Sequence, residues 1–138
     1  MSHFLRIMTQ IREREHLVKS LRDLHYQFRE GENLVVRGYA GNKERAEVVV
    51  DTQCSYDIGF RRRGELYEAV ADWDYGVARN SPLRIDGQPI RRDNFLQQIN
   101  RQYAYNVIRD QIQEQNLVVE EEQTLANGDV VITLSERG

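Results

Sequence analysis

Residues 46–73, AEVVVDTQCSYDIGFRRRGELYEAVADW, contain three short runs of apolar and β-branched residues separated by turn-forming residues. The runs span Ala46 to Thr52, Tyr56 to Arg61 and Leu66 to Trp73, and their composition is typical of β-strands. Arg63-Gly64 provides a turn signal between the last two runs, which favours antiparallel pairing of strands that follow each other along the chain. We therefore predict an antiparallel meander here.

The strand-like pattern extends towards the N-terminus. A fourth run spans Leu34 to Tyr39, and the turn-forming residues Gly41 to Glu44 separate it from the next strand. An amphipathic helix is predicted from Glu13 to His25, because its leucines recur at helical spacing and charged residues occupy the other face. The chain starts with apolar residues on both faces of an alternating pattern, so we predict a strand from Ser2 to Ile11 in the centre of a sheet.

A long irregular segment and a second helix follow the meander. Residues 76–94 contain both prolines and several charges, which predicts a long loop or an irregular edge segment. The next segment has no Gly or Pro, and Asp93 or Asn94 is suited to cap a helix that runs to about Gln115. This helix is the longest predicted element.

A terminal hairpin completes the chain. Its strands are predicted from Leu117 to Glu121 and from Val130 to Leu134, with Asn127-Gly128-Asp129 at the turn. The order β, α, several β, α, β, β predicts an α+β fold with two helices packed on one face of a mainly antiparallel sheet. A ferredoxin-like arrangement is one candidate topology.

Length and composition limit the class of protein. The 138 residues are 40% hydrophobic and 30% charged, which predicts a single globular domain over residues 1–138. With 19 Lys and Arg against 22 Asp and Glu, the net charge is -3, so the molecule as a whole does not attract nucleic acid. No stretch approaches the ~20 apolar residues of a membrane span.

Cysteine and histidine do not indicate a metal or catalytic centre. Cys54 is the only cysteine, so a disulfide or a thiolate zinc site within one chain is excluded. His16 and His25 would lie roughly 13 Å apart along the predicted helix, too far to share an ion with each other, and His3 could approach only one of them. We interpret the histidines as surface or structural residues and Cys54 as a core residue, and we expect no metal and no cofactor.

A ligand pocket near the central strands is an alternative that the pattern leaves open. If the strands across Gly64 are neighbours, Asp57, Asp72 and Asp74 could form a carboxylate set for acid/base chemistry. Turn capping and salt bridges to nearby arginines are the competing interpretation, which we favour. The speculative ligand-binding residues are Asp57, Arg61, Arg62, Arg63, Asp72 and Trp73.

Nucleic-acid binding is a weaker alternative. Arg61 to Arg63 and the pair Arg91-Arg92 are the most concentrated positive charges, and several aromatic residues lie in the same region of the chain. Solvated hairpin tips and core aromatics explain the same residues, and the net charge is negative. We therefore do not expect a nucleic-acid partner.

The second helix divides its apolar residues between two sides. At ~100° per residue, one arc, which can pack against a sheet, carries Phe95, Leu96, Ile99, Tyr103 and Val107. A different side carries Tyr105, Ile108 and Ile112. These three residues form either a dimer or partner contact, or a surface covered by the long loop or the first helix.

Several short segments resemble a known family. They are the opening Ser2-His3-Phe4 leading into Ile7 to Ile11, the central Tyr56 to Phe60, and Ala71-Asp72-Trp73. Together they resemble the uncharacterised hypothetical chloroplast open reading frame thirty-five family of cyanobacteria and plastids. The resemblance implies a cyanobacterial cytoplasm or a plastid stroma, and it supplies no reaction and no catalytic residue.

The functional expectation follows from these observations. We expect an interaction, assembly or regulatory protein without catalytic residues, with a homodimer as one possibility and an otherwise unknown protein partner. The alternatives are a small-anion or small-ligand binding protein or enzyme with a pocket near the central strands, and RNA binding. We expect a soluble protein without a membrane span.

Overall fold

A five-stranded antiparallel sheet forms the centre of the computed structural model, which describes residues 3–136. Its strands stand in the spatial order β1-β5-β4-β3-β2, and each neighbouring pair is antiparallel. The α+β class and the meander from β2 to β5 are thereby confirmed. The strands are β1 (Leu5–Met8), β2 (Gln27–Arg37), β3 (Lys43–Asp51), β4 (Ile58–Arg63) and β5 (Leu66–Ala71).

The strand order is not that of a ferredoxin-like sheet. β1 and β2, which flank the first helix in the chain, lie at opposite edges with three strands between them. The order of elements along the chain suggested a split β-α-β unit, but the four strands of the meander pair sequentially, and β1 is added beside β5. The topology is therefore a meander closed by the N-terminal strand.

β1 lies at the edge of the sheet, whereas the apolar pattern predicted a central strand. It pairs only with β5, from Leu5 opposite Ala71 to Met8 opposite Glu68. Leu5 and Met8 are 40% and 53% exposed. The alternation of side chains along a strand indicates which residues share a face of the sheet. It does not indicate whether a neighbouring strand lies on each side. The predicted start at Ser2 lies outside the described residues.

β2 is longer than predicted. It starts at Gln27 rather than Leu34, and its pairing with β3 shifts between Glu30 and Leu34. The first half is polar and lies at a sheet edge, so no apolar run indicated it. An irregular, charged edge strand of this kind resists pairing with other chains.

Two long helices pack on one face of the sheet, as predicted. α1 (Arg14–Asp23) and α3 (Arg92–Gln115) contact each other and share one core with the sheet. The ring of Phe95, on α3, lies 6.2 Å from Phe60 and 6.1 Å from Trp73 between ring centroids. In the described part of the chain, no helix is both long and apolar enough to cross a membrane.

α3 begins two or three residues earlier than predicted. Its N-cap is Arg91, not Asp93 or Asn94. The side chain of Asn94 still contributes to the cap, because its Oδ1 accepts the Arg91 backbone N–H at 2.7 Å. Asn94 therefore caps the helix from inside its first turn.

The opposite face of the sheet carries a smaller apolar cluster around Gly59. Val36, Ala46, Val49 and Val70 are buried there. A Cβ on Gly59 would lie 2.4 Å from a Val36 methyl group and 3.0 Å from the Ala46 Cβ. Glycine is required because the neighbouring side chains fill this space.

The segment predicted as a long loop has structure of its own. A π-helical turn (Trp73–Val77) leads into the short helix α2 (Ala78–Asn80), and a small hairpin follows, formed by β6 (Arg84–Ile85) and β7 (Gln88–Pro89). Ile85 and Ile90 are buried and pack into the main core. The segment covers the end of the core rather than forming an open loop.

The C-terminal hairpin forms a separate two-stranded sheet. β8 (Leu117–Thr124) pairs antiparallel with β9 (Val130–Glu136), which confirms the predicted hairpin. Gly128 in its turn has φ +90°, a left-handed conformation that favours glycine. Since β8 follows α3 directly, the hairpin folds back along this helix.

Candidate interaction groove

Asp57, the first predicted ligand-binding residue, is a buried partner of Arg37. One carboxylate oxygen accepts the Arg37 backbone N–H at 2.8 Å and its Nε–H at 2.9 Å, and the other accepts Nη2–H at 2.9 Å. The hydrogen bonds to Asp57 raise the pKa of Arg37. A carboxylate held by three hydrogen bonds is a structural ion pair and is not available as a general base.

Arg61 and Arg63 lie at the other end of β4 and are bound to acidic residues. Nη2 of Arg61 is 2.6 Å from Glu68, and Nε of Arg63 is 3.4 Å from the same carboxylate. A second Arg61 nitrogen lies 3.3 Å from Glu44. Burial acts to raise the pKa of Glu68, but the bonds to both arginines outweigh it and lower the pKa. Arg6 also pairs with Glu44, so the network holds three arginines against two glutamates.

Arg62 is bound in another way. Its guanidinium stacks over the Tyr67 ring at 4.5 Å and donates to the Arg12 carbonyl at 2.7 Å. Asp57 directly precedes the first residue of β4, so five residues at ~3.3 Å each place it roughly 17 Å from Arg62. The arginine run and Asp57 therefore do not surround one pocket.

Trp73 and Asp72 are both buried where β5 ends. The Trp73 indole N–H donates to the Leu5 carbonyl at 3.1 Å, so it ties β1 to the core. Asp74, the third residue of the predicted carboxylate set, is exposed on the following turn. Cys54 is half-buried with its sulfur 3.1 Å from the Thr52 hydroxyl, and no histidine contacts it among the described residues.

Two of the three predicted partner-interface residues line a large groove of the described chain. Tyr105 and Ile108 lie in it, and the half-buried Ile112 lies outside its lining. The groove has a volume of about 880 Å³ and runs between α3, the C-terminal hairpin and β1. The hairpin thus lies beside Tyr105 and Ile108, while Tyr105 also lines a smaller cavity with Leu24, at the end of α1, and with Ile85 and Asp86 of the segment predicted as a long loop.

The floor of the groove is one ridge of α3. Four floor residues, Leu96, Asn100, Ala104 and Ile108, recur at a spacing of four and therefore lie in one row on the helix. From the first to the last, this ridge extends about 18 Å at ~1.5 Å per residue. That length matches a β-strand of five or six residues.

One wall is the outer edge of β9. Val130, Val131 and Ile132 all line the groove, whereas no residue of β8 does. Since successive side chains of a strand point to opposite faces, three consecutive lining residues show that the strand meets the groove edge-on. On the other side, Ile7 of the sheet-edge strand β1 contributes to the lining.

The charged residues that line the groove have no net charge. Its charged residues are Arg92 and Arg101 against Asp93 and Asp129. Arg92 and Asp93 form an ion pair with each other at 3.7 Å. A neutral apolar occupant is therefore the best match to this surface.

Two side-chain contacts hold the hairpin against α3. Tyr105 donates its hydroxyl to Glu122 of β8, and Gln97 donates to the carbonyl of Asn127 in the turn. The hydrogen bond to Glu122 raises the pKa of Tyr105. The predicted interface residue Tyr105 thus also positions the wall of the groove.

A buried polar seam fixes α3 to α1. The amide nitrogen of Asn106 donates to the Ser20 hydroxyl at 3.0 Å, and both side chains are fully buried. The Tyr103 hydroxyl accepts the backbone N–H groups of Arg12 and Glu13, each at 3.1 Å, at the start of α1. The helical spacing identified Tyr103 as a packing residue. It did not identify Asn106, because an amide between the two apolar sides of the helix does not by itself indicate a buried position.

His16 connects the same two helices. Its Nε2 lies 2.6 Å from Asp110 on α3, and its Nδ1 lies 2.6 Å from Glu13 but off the line of a hydrogen bond. Burial acts to lower the pKa of His16, but the carboxylates of Asp110 and Glu13 outweigh it and raise the pKa. His16 thus connects α1 to α3 through Asp110. In residues 3–136, no group of three or more histidine, cysteine, aspartate or glutamate residues is arranged to hold a metal ion.

Comparison with known proteins identifies the family. A family model described as Protein of unknown function (DUF1257) matches residues 20–133. The chain belongs to this family. The matched range of the DUF1257 family extends from α1 to β9, so it contains the helix α3 and the hairpin that form the groove.

Two relatives of this chain carry the name of the family that its sequence motifs resemble. Uncharacterized protein ycf35 of Guillardia theta is 31% identical over 134 residues, covering 97% of this chain and 96% of the relative. Uncharacterized protein ycf35 of Cyanophora paradoxa is 30% identical over 111 residues, covering 80% and 78%. The family resemblance is confirmed. No solved structure matches the chain significantly.

Proposed function

We propose that this protein is an interaction and assembly module without catalytic residues, and that it binds another protein chain in the groove between α3, β1 and the C-terminal hairpin. The observation that supports this most directly is the groove itself. The helix ridge of Leu96, Asn100, Ala104 and Ile108 forms its floor, and an edge of β9 that pairs with no strand in the described residues forms its wall. Both features are used by proteins that bind extended or helical segments of a partner.

The residues that chemistry would need are already committed to the fold. Asp57 is held by Arg37, Arg61 is held by Glu68, and the nitrogens of His16 face Asp110 and Glu13. Side chains bound in this way stabilise the sheet and the helix pair. These contacts therefore give the small-anion and RNA alternatives no specific support. On the basis of the family resemblance, we place the protein in a cyanobacterial cytoplasm or a plastid stroma.

Site-specific photo-crosslinking in the native cells tests the proposal. A photo-reactive amino acid is placed at Asn100, an exposed residue of the groove floor, and for comparison at Gln113, an exposed residue of α3 outside the groove. We expect a discrete adduct from position 100 and none from position 113. Equal labelling at both positions, or no adduct at either, contradicts the proposal.

A groove-filling variant sharpens this experiment. Ala104 is small, exposed and in the middle of the ridge, so Ala104→Trp should block the groove without disturbing the core. We expect this substitution to abolish the adduct at position 100, whereas Gln113→Trp should leave it unchanged. Thermal unfolding of both variants shows that the fold is retained. An adduct that survives Ala104→Trp contradicts binding in the groove.

A further inference from the structure

The sheet edges of the described chain differ in how they are protected from pairing with other chains. An unpaired strand edge is a template for a further strand, and proteins block such edges with short strands, charges, prolines or irregular pairing. β1 is four residues long and carries Arg6, β2 has a register shift, and β8 carries three consecutive glutamates. β6 and β7 are two residues each, with Arg84 and Pro89.

Apart from Glu136 at its end, β9 carries no charge and no proline, and the register shift in its pairing with β8 lies on the β8 side. Its residues Val130 to Ser135 are six consecutive uncharged residues without proline. In the described chain its outer edge pairs with no strand, and Val131 on this edge is 45% exposed. A long, uncharged and unpaired edge predicts association. A two-stranded hairpin is also marginal by itself and gains stability from a third strand.

The groove beside β9 restricts what can cover this edge. Its charges balance, and its ridge accommodates five or six extended residues, so the occupant is a short uncharged apolar strand. β9 itself has this composition and this length. A charged strand such as β8 would place its glutamates against a neutral surface.

We infer that a second copy of this chain occupies the groove, with the β9 strands of the two copies paired antiparallel about a twofold axis to form a four-stranded sheet. This inference rests on the proposed function and names the partner. A twofold arrangement brings the same patch of both copies together. A strand pair alone buries little area, so each copy must also contact the apolar ridge of α3 to reach the size of a stable interface.

Sedimentation velocity of the purified full chain tests the inference with a matched pair of variants. Val131 on β9 and Val119 on β8 are 45% and 44% exposed, on opposite strands of one hairpin. The wild type should be a dimer. Val131→Lys places two like charges across the new strand pair and should raise the dimer dissociation constant at least about tenfold. Val119→Lys should leave it unchanged.

Disulfide trapping locates the twofold axis of the dimer, independently of the sedimentation measurement. Single cysteines are placed at Val130, Val131, Ile132 and Thr133 in a Cys54→Ser background, and a cysteine at Gln123 on β8 serves as the control. Residues opposite each other in an antiparallel pair have Cα atoms ~4.5–5.5 Å apart, within the range of a disulfide. We expect a covalent dimer from the position nearest the axis and none from position 123.

Each outcome of these measurements decides the inference. A monomeric wild type overturns it, and so does a dimer that dissociates equally in both lysine variants or forms disulfides equally from β8. If the purified chain is a monomer while position 100 still crosslinks to a different protein in cells, the inference about the second copy fails and the proposed function stands. If neither the purified chain nor the cells show an adduct, both fail.

Discussion

Asn106 is a fully buried amide that donates to another fully buried side chain, Ser20, and accepts from Gln102. Removing this amide breaks both bonds, while the Ser20 hydroxyl keeps its bond to the His16 carbonyl, and the loss costs about 1–3 kcal/mol. We predict that Asn106→Ala lowers the free energy of unfolding by this amount, measured by urea denaturation.

A double-mutant cycle separates the hydrogen bond from the lost packing. Asn106→Ala and Ser20→Ala should be less destabilising together than the sum of the two single changes, because the hydrogen bond between the two side chains can be lost only once. The neighbouring exposed Ala104→Ser serves as a control with little effect. Strict additivity would show that the two side chains do not depend on each other.

Gly59 provides a second test at the scale of one residue. A Cβ there would meet a Val36 methyl group at 2.4 Å, so Gly59→Ala overpacks the small cluster on the outer face of the sheet. We predict a loss of about 1–3 kcal/mol in the free energy of unfolding. The companion variant Gly59→Ala with Val36→Ala relieves the contact and should recover part of this loss. An unchanged stability for Gly59→Ala would contradict the observed packing.

At the scale of elements, α1 and α3 are connected by a histidine whose charge depends on pH. The folded state raises the pKa of His16, so it stabilises the protonated imidazolium beside Asp110 and Glu13. A group with a raised pKa contributes stability in full below its unfolded pKa of ~6.5 and loses that contribution as pH rises through the folded pKa. We predict that the wild type loses stability over this range.

The pH dependence is measured by urea denaturation at a series of pH values. The difference in stability between the wild type and His16→Gln should shrink as pH rises above ~6.5, and Asp110→Asn should show the same trend. His25→Asn is the control, since His25 is exposed and asparagine tolerates its positive φ of 66°. A difference that is independent of pH would contradict the charged contact.

At the scale of the whole molecule, stability is divided unequally between the main core and the hairpin. No residue of β8 or β9 belongs to either buried apolar cluster. The hairpin is held to α3 by the Tyr105 and Gln97 contacts and by partial burial of its apolar residues. Elements with few buried contacts open at a lower free energy than the core.

We predict this hierarchy in native-state hydrogen exchange. Amides of β8 and β9 should exchange through a local opening, well before those of β3, β4 and β5. If two copies pair through β9, protection of residues 130–135 should rise with protein concentration, whereas protection of β4 should not. Equal protection of hairpin and central-sheet amides from exchange at low protein concentration would contradict this difference in local stability.

Local periodicity was sufficient to predict the meander, the two longer helices and the C-terminal hairpin, but not the polar first half of β2 or the short elements between β5 and α3. The run Val48 to Val50, the leucines of α1 and the turn at Gly64 identify strands, helix and reversal from the chain itself, because side-chain spacing reports which residues share a face. The same spacing separated Phe95 and Ile99, which are buried, from Tyr105 and Ile108, which line the groove, but it assigned Leu96, which also lines the groove floor, to the packing arc. Family membership was also visible in short motifs.

Only the tertiary structure decided which elements meet. It placed β1 at an edge, committed Asp57 to Arg37 and His16 to Asp110, and folded the hairpin beside α3. These contacts join residues far apart in the chain, and periodicity carries no information about the partner on the other side of a face. For the same reason the sequence indicated an apolar side of the second helix, and only the folded chain showed a groove with a free strand edge as its wall.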